Sequence, residues 1–144
     1  MKTVAQLLAT KQNQQVHTIA PQSTVLDALR LMAEKNVGAL PVVEDGQLVG
    51  VISERDYARK VVLQGRSSVG TPVSAVMSAP VVTVAPKQDL RTCMELMTAR
   101  KLRHLPVVDD TRLIGLLSIG DLVKEVIAEK DGLIDQLEKY IRGE

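Results

Sequence analysis

ALPVVEDGQLVGVIS, residues 39–53, returns as HLPVVDDTRLIGLLS at residues 104–118. His104 stands 65 positions after Ala39, and the same offset carries outward from both stretches without a gap. Upstream, TIAP (18–21) lies over TVAP (83–86). Pro21 matches Pro86, Pro41 matches Pro106, Gly50 matches Gly115 and Asp56 matches Asp121. Self-similarity that sets Val16–Val62 over Val81–Ile127 marks a duplicated structural unit.

Within each copy the local signals repeat. Thr18–Pro21 is a short extended piece stopped by proline, which pushes its predecessor out of the helical region. Ser23 or Thr24 can cap the following helix, and Asp89 can cap its counterpart. Val25, Ala28, Leu29 and Met32 recur at helical spacing and predict an amphipathic helix over 24–35. Leu90, Cys93, Met94 and Met97 form the matching buried stripe, with Met32, Met94 and Met97 filling the core. Ala39–Val43 is a β-branched run, Asp45-Gly46 is a hairpin turn, and Leu48–Ser53 is the returning antiparallel strand. Asp110-Thr111 is the weaker turn of the second copy. A helix over 54–63 closes the first copy. Its counterpart starts near Ile119 and runs toward the C-terminus.

Each copy is thus β-α-β-β-α, an α/β (α+β) unit with a three-stranded sheet. Helices on one face leave the other face bare, and two copies packed sheet to sheet about a pseudo-twofold axis cover it. That arrangement creates two equivalent clefts. The expected organisation is a first repeat with lead-in and Gly-Arg-Ser-Ser loop over 1–68, a second repeat over 69–128, and a C-terminal helical extension over 129–144. Thr3–Leu8 and Val73–Met77 pair loosely as short helical lead-ins, each expected to belong to the repeat it precedes. Gly65-Arg66-Ser67-Ser68 suits either a plain connector or a phosphate contact. Val126, Leu133, Leu137 and Tyr140 or Ile141 lie along one side of the last segment, which Gly132 weakens. A face that long exceeds the needs of a small module and points to a second chain, with a twofold homodimer the common outcome.

Composition narrows the function. The chain has 144 residues, 45% hydrophobic and 24% charged, with a net charge of +1. That balance gives no bulk electrostatic reason for nucleic acid or membrane as partner. Tyr57 and Tyr140 are the only aromatic residues of the Phe, Trp and Tyr set. Stacking platforms for single-stranded nucleic acid are therefore missing, and any bound base must lie between aliphatic side chains. One cysteine, Cys93, allows no internal disulfide and suits a reducing compartment. No apolar run approaches a spanning helix, and Met1–Thr10 does not read as a signal peptide. A soluble, cytoplasmic protein is the expectation.

The chemistry concentrates where the last strand of each copy meets its last helix. GVISERD (50–56) and GLLSIGD (115–121) share Ser-x-x-Asp. A hydroxyl beside free N–H groups at a helix start suits a phosphate oxygen. A carboxylate three residues on can accept from a ribose diol. The same pattern is also an ordinary helix N-cap, and both readings stand at this level. Gly50 and Gly115 permit close approach to the backbone.

With these residues in view, the LPVV-hairpin-G-h-h-S-x-x-D pattern, present twice, resembles a CBS-domain pair, or Bateman module. The resemblance covers nearly the whole chain. In that family the module senses AMP, ADP or ATP, and in some members NAD or S-adenosylmethionine. Glu54-Arg55-Asp56-Tyr57, Arg59-Lys60 and Gly65–Ser68 further resemble stand-alone bacterial and plant organellar members, some of the latter described as thioredoxin regulators. The resemblance implies two nucleotide sites. In one, Ser53 and Asp56 meet Leu102, Arg103 and His104 of the other copy, with Val51 and Val82 beside the base and Arg55 adding charge. In the other, Ser118 and Asp121 meet Val37, Gly38 and Ala39, flanked by Leu116, His17 and Thr18. It also implies a disc-shaped homodimer.

The two expected sites differ, because Gly38-Ala39 corresponds to Arg103-His104. Arg55, Arg59, Arg100, Lys101, Arg103 and His104 make the Asp56 site the more cationic, so it is expected to take the more highly charged ligand. Lys101 fits a solvated helix end better than a phosphate contact. His17 and His104 have no companions at metal-ligand spacing, so no metal is expected. Cys93 reads as a packed, inert thiol. No Walker loop, dinucleotide fingerprint or Ser–His–Asp order supports an enzyme. The expected function is non-catalytic sensing of an adenine nucleotide, with the signal passed to a partner protein. The alternative is a protein-interaction adaptor, for example a redox-enzyme regulator, in which nucleotide is structural or absent.

Overall fold

Thr24 sets the start of the first repeat's main helix. Its Oγ1 accepts the Asp27 N–H, and the Asp27 carboxylate accepts the Thr24 N–H, a reciprocal cap. Asp89 caps the equivalent helix by accepting from Thr92. The computed structural model describes residues 1–11 and 15–143; Glu144, the last residue of the expected extension, lies outside them. The order is α1 (Val4–Thr10), α2 (Val25–Lys35), β1 (Ala39–Glu44), β2 (Gln47–Ser53), α3 (Glu54–Asp56), α4 (Leu90–Arg100), β3 (His104–Asp109), β4 (Arg112–Ser118) and α5 (Ile119–Arg142). The α3 turn continues as a π-helical stretch, Tyr57–Val62, where the sequence predicts ordinary helix to Leu63. The Leu63 N–H reaches back five residues to the Ala58 carbonyl.

The hairpins match residue for residue. β1 pairs with β2 from Ala39–Ser53 to Glu44–Gln47, and β3 with β4 from His104–Ser118 to Asp109–Arg112, each with a bulge between its paired valines, Val42/Val43 and Val107/Val108. Asp45 and Gly46 have φ of 50° and 77°, and Asp110 and Thr111 have 48° and 70°. Two positive φ values suit the tight turn that matches strand twist. Thr111 holds that conformation despite its branched Cβ, a strained choice that glycine avoids in the first copy.

The expected third strand is a single bridge in each copy, so the fold is two two-stranded sheets with helices. Ile19 bridges Val42 in parallel and Val84 bridges Val107. Ile19 donates to the Pro41 carbonyl at 3.1 Å and accepts from Val43 at 2.9 Å. Pro21 and Pro86 follow two residues on and offer no N–H to extend the ladder.

The cores explain why both copies are needed, and they revise the lead-ins. Val25, Ala28, Met32, Leu40, Val42, Ile52 and Val61 of the first copy pack with Val73 and Val76, which precede the second copy. Leu90, Cys93, Met97, Leu105, Val107, Leu117 and Leu122 of the second copy pack with Val4 and Leu7, which precede the first. Each lead-in therefore completes the other repeat's core, not the one it precedes. The Val4 N–H donates to the Gln88 carbonyl at 2.7 Å, and the Val73 N–H to the Ser23 carbonyl at 2.8 Å. A hairpin with one main helix offers too little apolar surface to stand alone, and the exchanged segment supplies the rest. Met94 departs from the buried stripe expected of it: it is 42% exposed, and Leu96 packs partly on the core instead.

α5 is one helix from its Ser118 cap to Gly143, whose φ of 74° ends it, and it runs through residue 128 and Gly132 unbroken. Leu122 and Glu125 are buried, and Lys2 pairs with Glu125 at 3.2 Å, pinning the chain start to α5. Beyond this, Val126, Leu133, Leu137, Tyr140 and Ile141 are exposed.

Gly115 tests the exchange of lead-ins. A Cβ there would lie 2.6 Å from Leu8 Cδ2 and 2.8 Å from Leu8 Cδ1. Gly115→Ala is expected to lower stability by about 1–3 kcal/mol through overpacking. In a Leu8→Ala background most of that penalty should vanish. Urea melts of the four chains in this cycle measure the coupling, and an undiminished penalty would mean that α1 does not seat on the second repeat.

Candidate functional site

Ser53 ends β2 and caps α3. Its Oγ accepts the Asp56 N–H at 3.1 Å, while Asp56 Oδ2 accepts the Ser53 N–H at 2.9 Å and the Ser53 hydroxyl at 3.0 Å. Ser118 and Asp121 repeat the arrangement at the start of α5, at 3.2 and 2.8 Å. The Ser-x-x-Asp pairs are thus reciprocal helix caps, which fixes both carboxylates at helix N-termini. The first N–H of each helix also reaches back to the approach to its own copy's first strand. Glu54 donates to the Gly38 carbonyl at 3.0 Å, and Ile119 donates to the Arg103 carbonyl at 2.8 Å.

Two cavities open between the repeats at these junctions. The Asp56 cavity holds about 450 Å³ and is lined by Val51, Ser53, Arg55 and Asp56 from one side and Val82, Leu102, Arg103 and His104 from the other. The Asp121 cavity holds about 580 Å³ and brings Ser118, Asp121 and Leu116 to Val37, Gly38, Ala39 and His17. Both volumes fall in the range of small-molecule pockets. Of the residues that the resemblance assigns to the two sites only Thr18, which is exposed, lies off both linings, while its neighbour His17 is part of the wall. The Gly65–Ser68 loop also lies outside both cavities and acts as a connector. Ser68 accepts the Leu26 N–H on its carbonyl, and Ser67 Oγ accepts the Gly70 N–H.

Electrostatics separate the cavities. Arg55, Arg59, Lys60, Lys101 and Arg103 line the Asp56 cavity against Glu54 and Asp56. Lys101 takes part here although its αL conformation also ends α4, whereas Arg100, expected here too, lines neither cavity. The Asp121 cavity has Lys11 and Asp121 alone as its Lys, Arg, Asp and Glu among the described residues. Asp56 has further partners: besides Ser53 it takes the Lys60 ammonium at 3.1 Å and the Ser78 hydroxyl at 3.2 Å on Oδ1. Asp121 takes Lys11 at 3.0 Å on Oδ2. Sequence reasoning missed Lys11, Lys60 and Ser78. Lys60 was findable, since it stands four residues after Asp56 on one helix. Lys11 and Ser78 arrive through the exchanged lead-ins, which carry no local signal.

His104 and Gly38 line both cavities and form the wall between them. Burial lowers the His104 pKa, with the Lys11 charge adding to it, against the opposing pull of Asp121. Burial likewise pushes the Cys93 thiol up, helped by Asp89, which keeps it a packed, protonated group. Among the described residues no three His, Cys, Asp or Glu side chains cluster as metal ligands would, and no helix is long and apolar enough to cross a membrane.

Two α+β repeats that complete each other's cores and enclose a pair of clefts define a tandem-repeat module. The chain belongs to the CBS-domain family, whose model matches residues 4–63 and 73–128, lead-ins included. It is 44% identical over 125 residues to the mitochondrial CBS domain-containing protein CBSX3 of Arabidopsis thaliana, covering 83% of this chain but only 61% of that protein. Among solved structures, a putative signal-transduction protein with CBS domains from Burkholderia ambifaria matches with a TM-score of 0.85 and 53% identity, over 88% of this chain and 95% of that one. A structure of CBSX2 in complex with AMP matches with a TM-score of 0.71 and 32% identity, over 90% and 99%.

The wall residue sets a pH dependence. A histidine whose folded pKa lies below its ordinary value near 6.5 binds fewer protons folded than unfolded, so stability falls as pH drops below that value. Melting temperatures at pH 7.5 and pH 5.5 should show a larger acid loss for the natural chain than for His104→Gln. Equal losses would contradict a His104 imidazole whose pKa is lowered by its half-buried place.

Proposed function

We propose that this chain is a non-catalytic regulatory module that binds an adenine nucleotide, AMP, ADP, ATP or NAD, in the clefts between its repeats. The carrying observation is the pair of cavities, each with a Ser-x-x-Asp helix start on one side and the strand approach of the other repeat opposite. The complex of CBSX2 with AMP supports the ligand class. Ribose hydroxyls would donate to Asp56 or Asp121. The base would lie among aliphatic walls, Val51 and Val82 in one cavity and Leu116 and Val37 in the other. Its edge would meet backbone groups of 37–39 or 102–104. Binding to the folded chain alone then biases the arrangement of the two repeats, which is how occupancy becomes a signal.

The Asp56 cavity is assigned the more highly charged ligand, because guanidinium forks at Arg55, Arg59 and Arg103 match phosphate oxygens. The module is read as a soluble cytoplasmic homodimer that signals to a partner protein. The apolar face of α5, with Leu137 54% and Ile141 82% exposed, is the surface proposed for the second copy. That same face favours the second reading, an adaptor that docks a protein with the nucleotide structural or absent.

Isothermal titration of Asp56→Ala and Asp121→Ala with AMP and ATP tests the assignment, with thermal melts to confirm folding after loss of a cap. Each variant should lose binding at its own cavity. Arg103→Ala should weaken ATP about tenfold while sparing AMP more, the size expected for one charged hydrogen bond. Unchanged affinity for both nucleotides in both aspartate variants would overturn the nucleotide reading and leave the adaptor.

A further inference from the structure

Lys11 follows α1 and reaches into the second repeat. Its Nζ lies 2.6 Å from the Leu116 carbonyl oxygen and 3.0 Å from Asp121 Oδ2. One ammonium therefore fills the point where two acceptors of the Asp121 cavity converge. The Leu116 carbonyl is open to it because Leu116 and Pro106 form a non-hydrogen-bonded pair: Pro106 turns its carbonyl to Val84, and Leu116 turns its own to the free edge of β4. Asp121 Oδ2 is otherwise held by the Ser118 N–H.

In the other cavity the matching acceptors are held by Ser78, with neutral donors in place of an ammonium: its N–H donates to the Val51 carbonyl at 2.9 Å and its hydroxyl to Asp56 Oδ1 at 3.2 Å. Leu8 lies against Gly115 and Met77 against Gly50, so these two lead-in residues are equivalent. Ten positions separate Leu8 from Thr18, whereas six separate Met77 from Thr83. Lys11 stands in the longer of these connections. Asp56 is instead paired within its own helical run, to Lys60, and shares its oxygens with two serine hydroxyls.

We infer that Lys11 is a resident stand-in for ligand in the Asp121 cavity and exchanges partners when a phosphorylated nucleoside enters. The inference rests on the nucleotide reading above. Ribose takes Asp121 as its acceptor, and the base lies against Leu116, where the ammonium now sits on the carbonyl, so the ammonium leaves both. The pair is sheltered, with side-chain exposures of 27% and 21%. An ammonium displaced there without a new partner is costly. A phosphate supplies that partner, and Lys11 is the only Lys or Arg among the described lining residues of this cavity. The cavity thereby selects nucleotide over nucleoside: both give Asp121 ribose hydroxyls in exchange for the ammonium, but only AMP brings an anion with which the displaced ammonium pairs again.

Titrations of AMP and of adenosine into the natural chain, Lys11→Met and Lys11→Arg read this directly. The heat of the Asp121 cavity is identified as the part lost in Asp121→Asn. Lys11→Met should bind AMP about tenfold more weakly there and adenosine several-fold more tightly, and Lys11→Arg should keep the natural preference. Lys11→Gln, which keeps a donor for Leu116 without the charge, serves if the methionine variant melts early, with the same expected loss of preference. An unaltered AMP-to-adenosine ratio in a folded Lys11→Met or Lys11→Gln chain that still binds AMP would overturn the exchange alone. No adenine ligand binding at the Asp121 cavity of the natural chain would remove the nucleotide reading, and the exchange with it.

Discussion

Each repeat borrows part of its core from the segment that precedes the other. A two-stranded hairpin and an eleven-residue helix leave apolar surface uncovered. Val4 and Leu7 close it in the second copy and Val73 and Val76 in the first. The exchange ties the copies together more firmly than contact between their surfaces could. Burying four aliphatic side chains in this way contributes roughly 1.5–3 kcal/mol each, and detaching one lead-in opens the core of the opposite repeat. The same exchange brings Lys11 and Ser78 to carboxylates that their own sequence neighbourhoods never approach. Both cavities are consequences of that crossing.

Much of the fold was legible because its signals are local. The 65-residue offset, the Thr24 and Asp89 caps and the Asp45-Gly46 turn each involve residues within a few positions of one another. The candidate clefts were legible through the duplicated Ser-x-x-Asp together with family resemblance, and all the named lining residues but Thr18 fall on the two walls. What was not legible is non-local. A short lead-in reads the same whichever core it enters. Met94 has helical spacing with Cys93 and Met97, but the stripe is narrow and leaves it at the edge, 42% exposed. The extended piece before each proline looks like a strand, yet it lasts for one bridge because proline follows so soon.

The duplicated architecture is symmetric in backbone and asymmetric in charge. The replacement of Gly38-Ala39 by Arg103-His104 and the extra cations of the Asp56 wall give one strongly cationic cavity and one nearly neutral one. His104 borders both, so charge entering either cavity is felt at one imidazole that burial keeps neutral. A polyanion in the Asp56 cavity and a nucleotide in the Asp121 cavity are therefore neighbours across a single side chain, which gives the two sites a physical route to influence each other.

The central claim is that the crossing of lead-ins makes two adenine-nucleotide cavities per chain. Native mass spectrometry of the natural chain with AMP, set beside UMP as a control for non-specific phosphate adducts, counts them directly. The account predicts up to two AMP bound per chain at saturation, well above the UMP background. AMP adducts no more abundant than those of UMP at every concentration would contradict it.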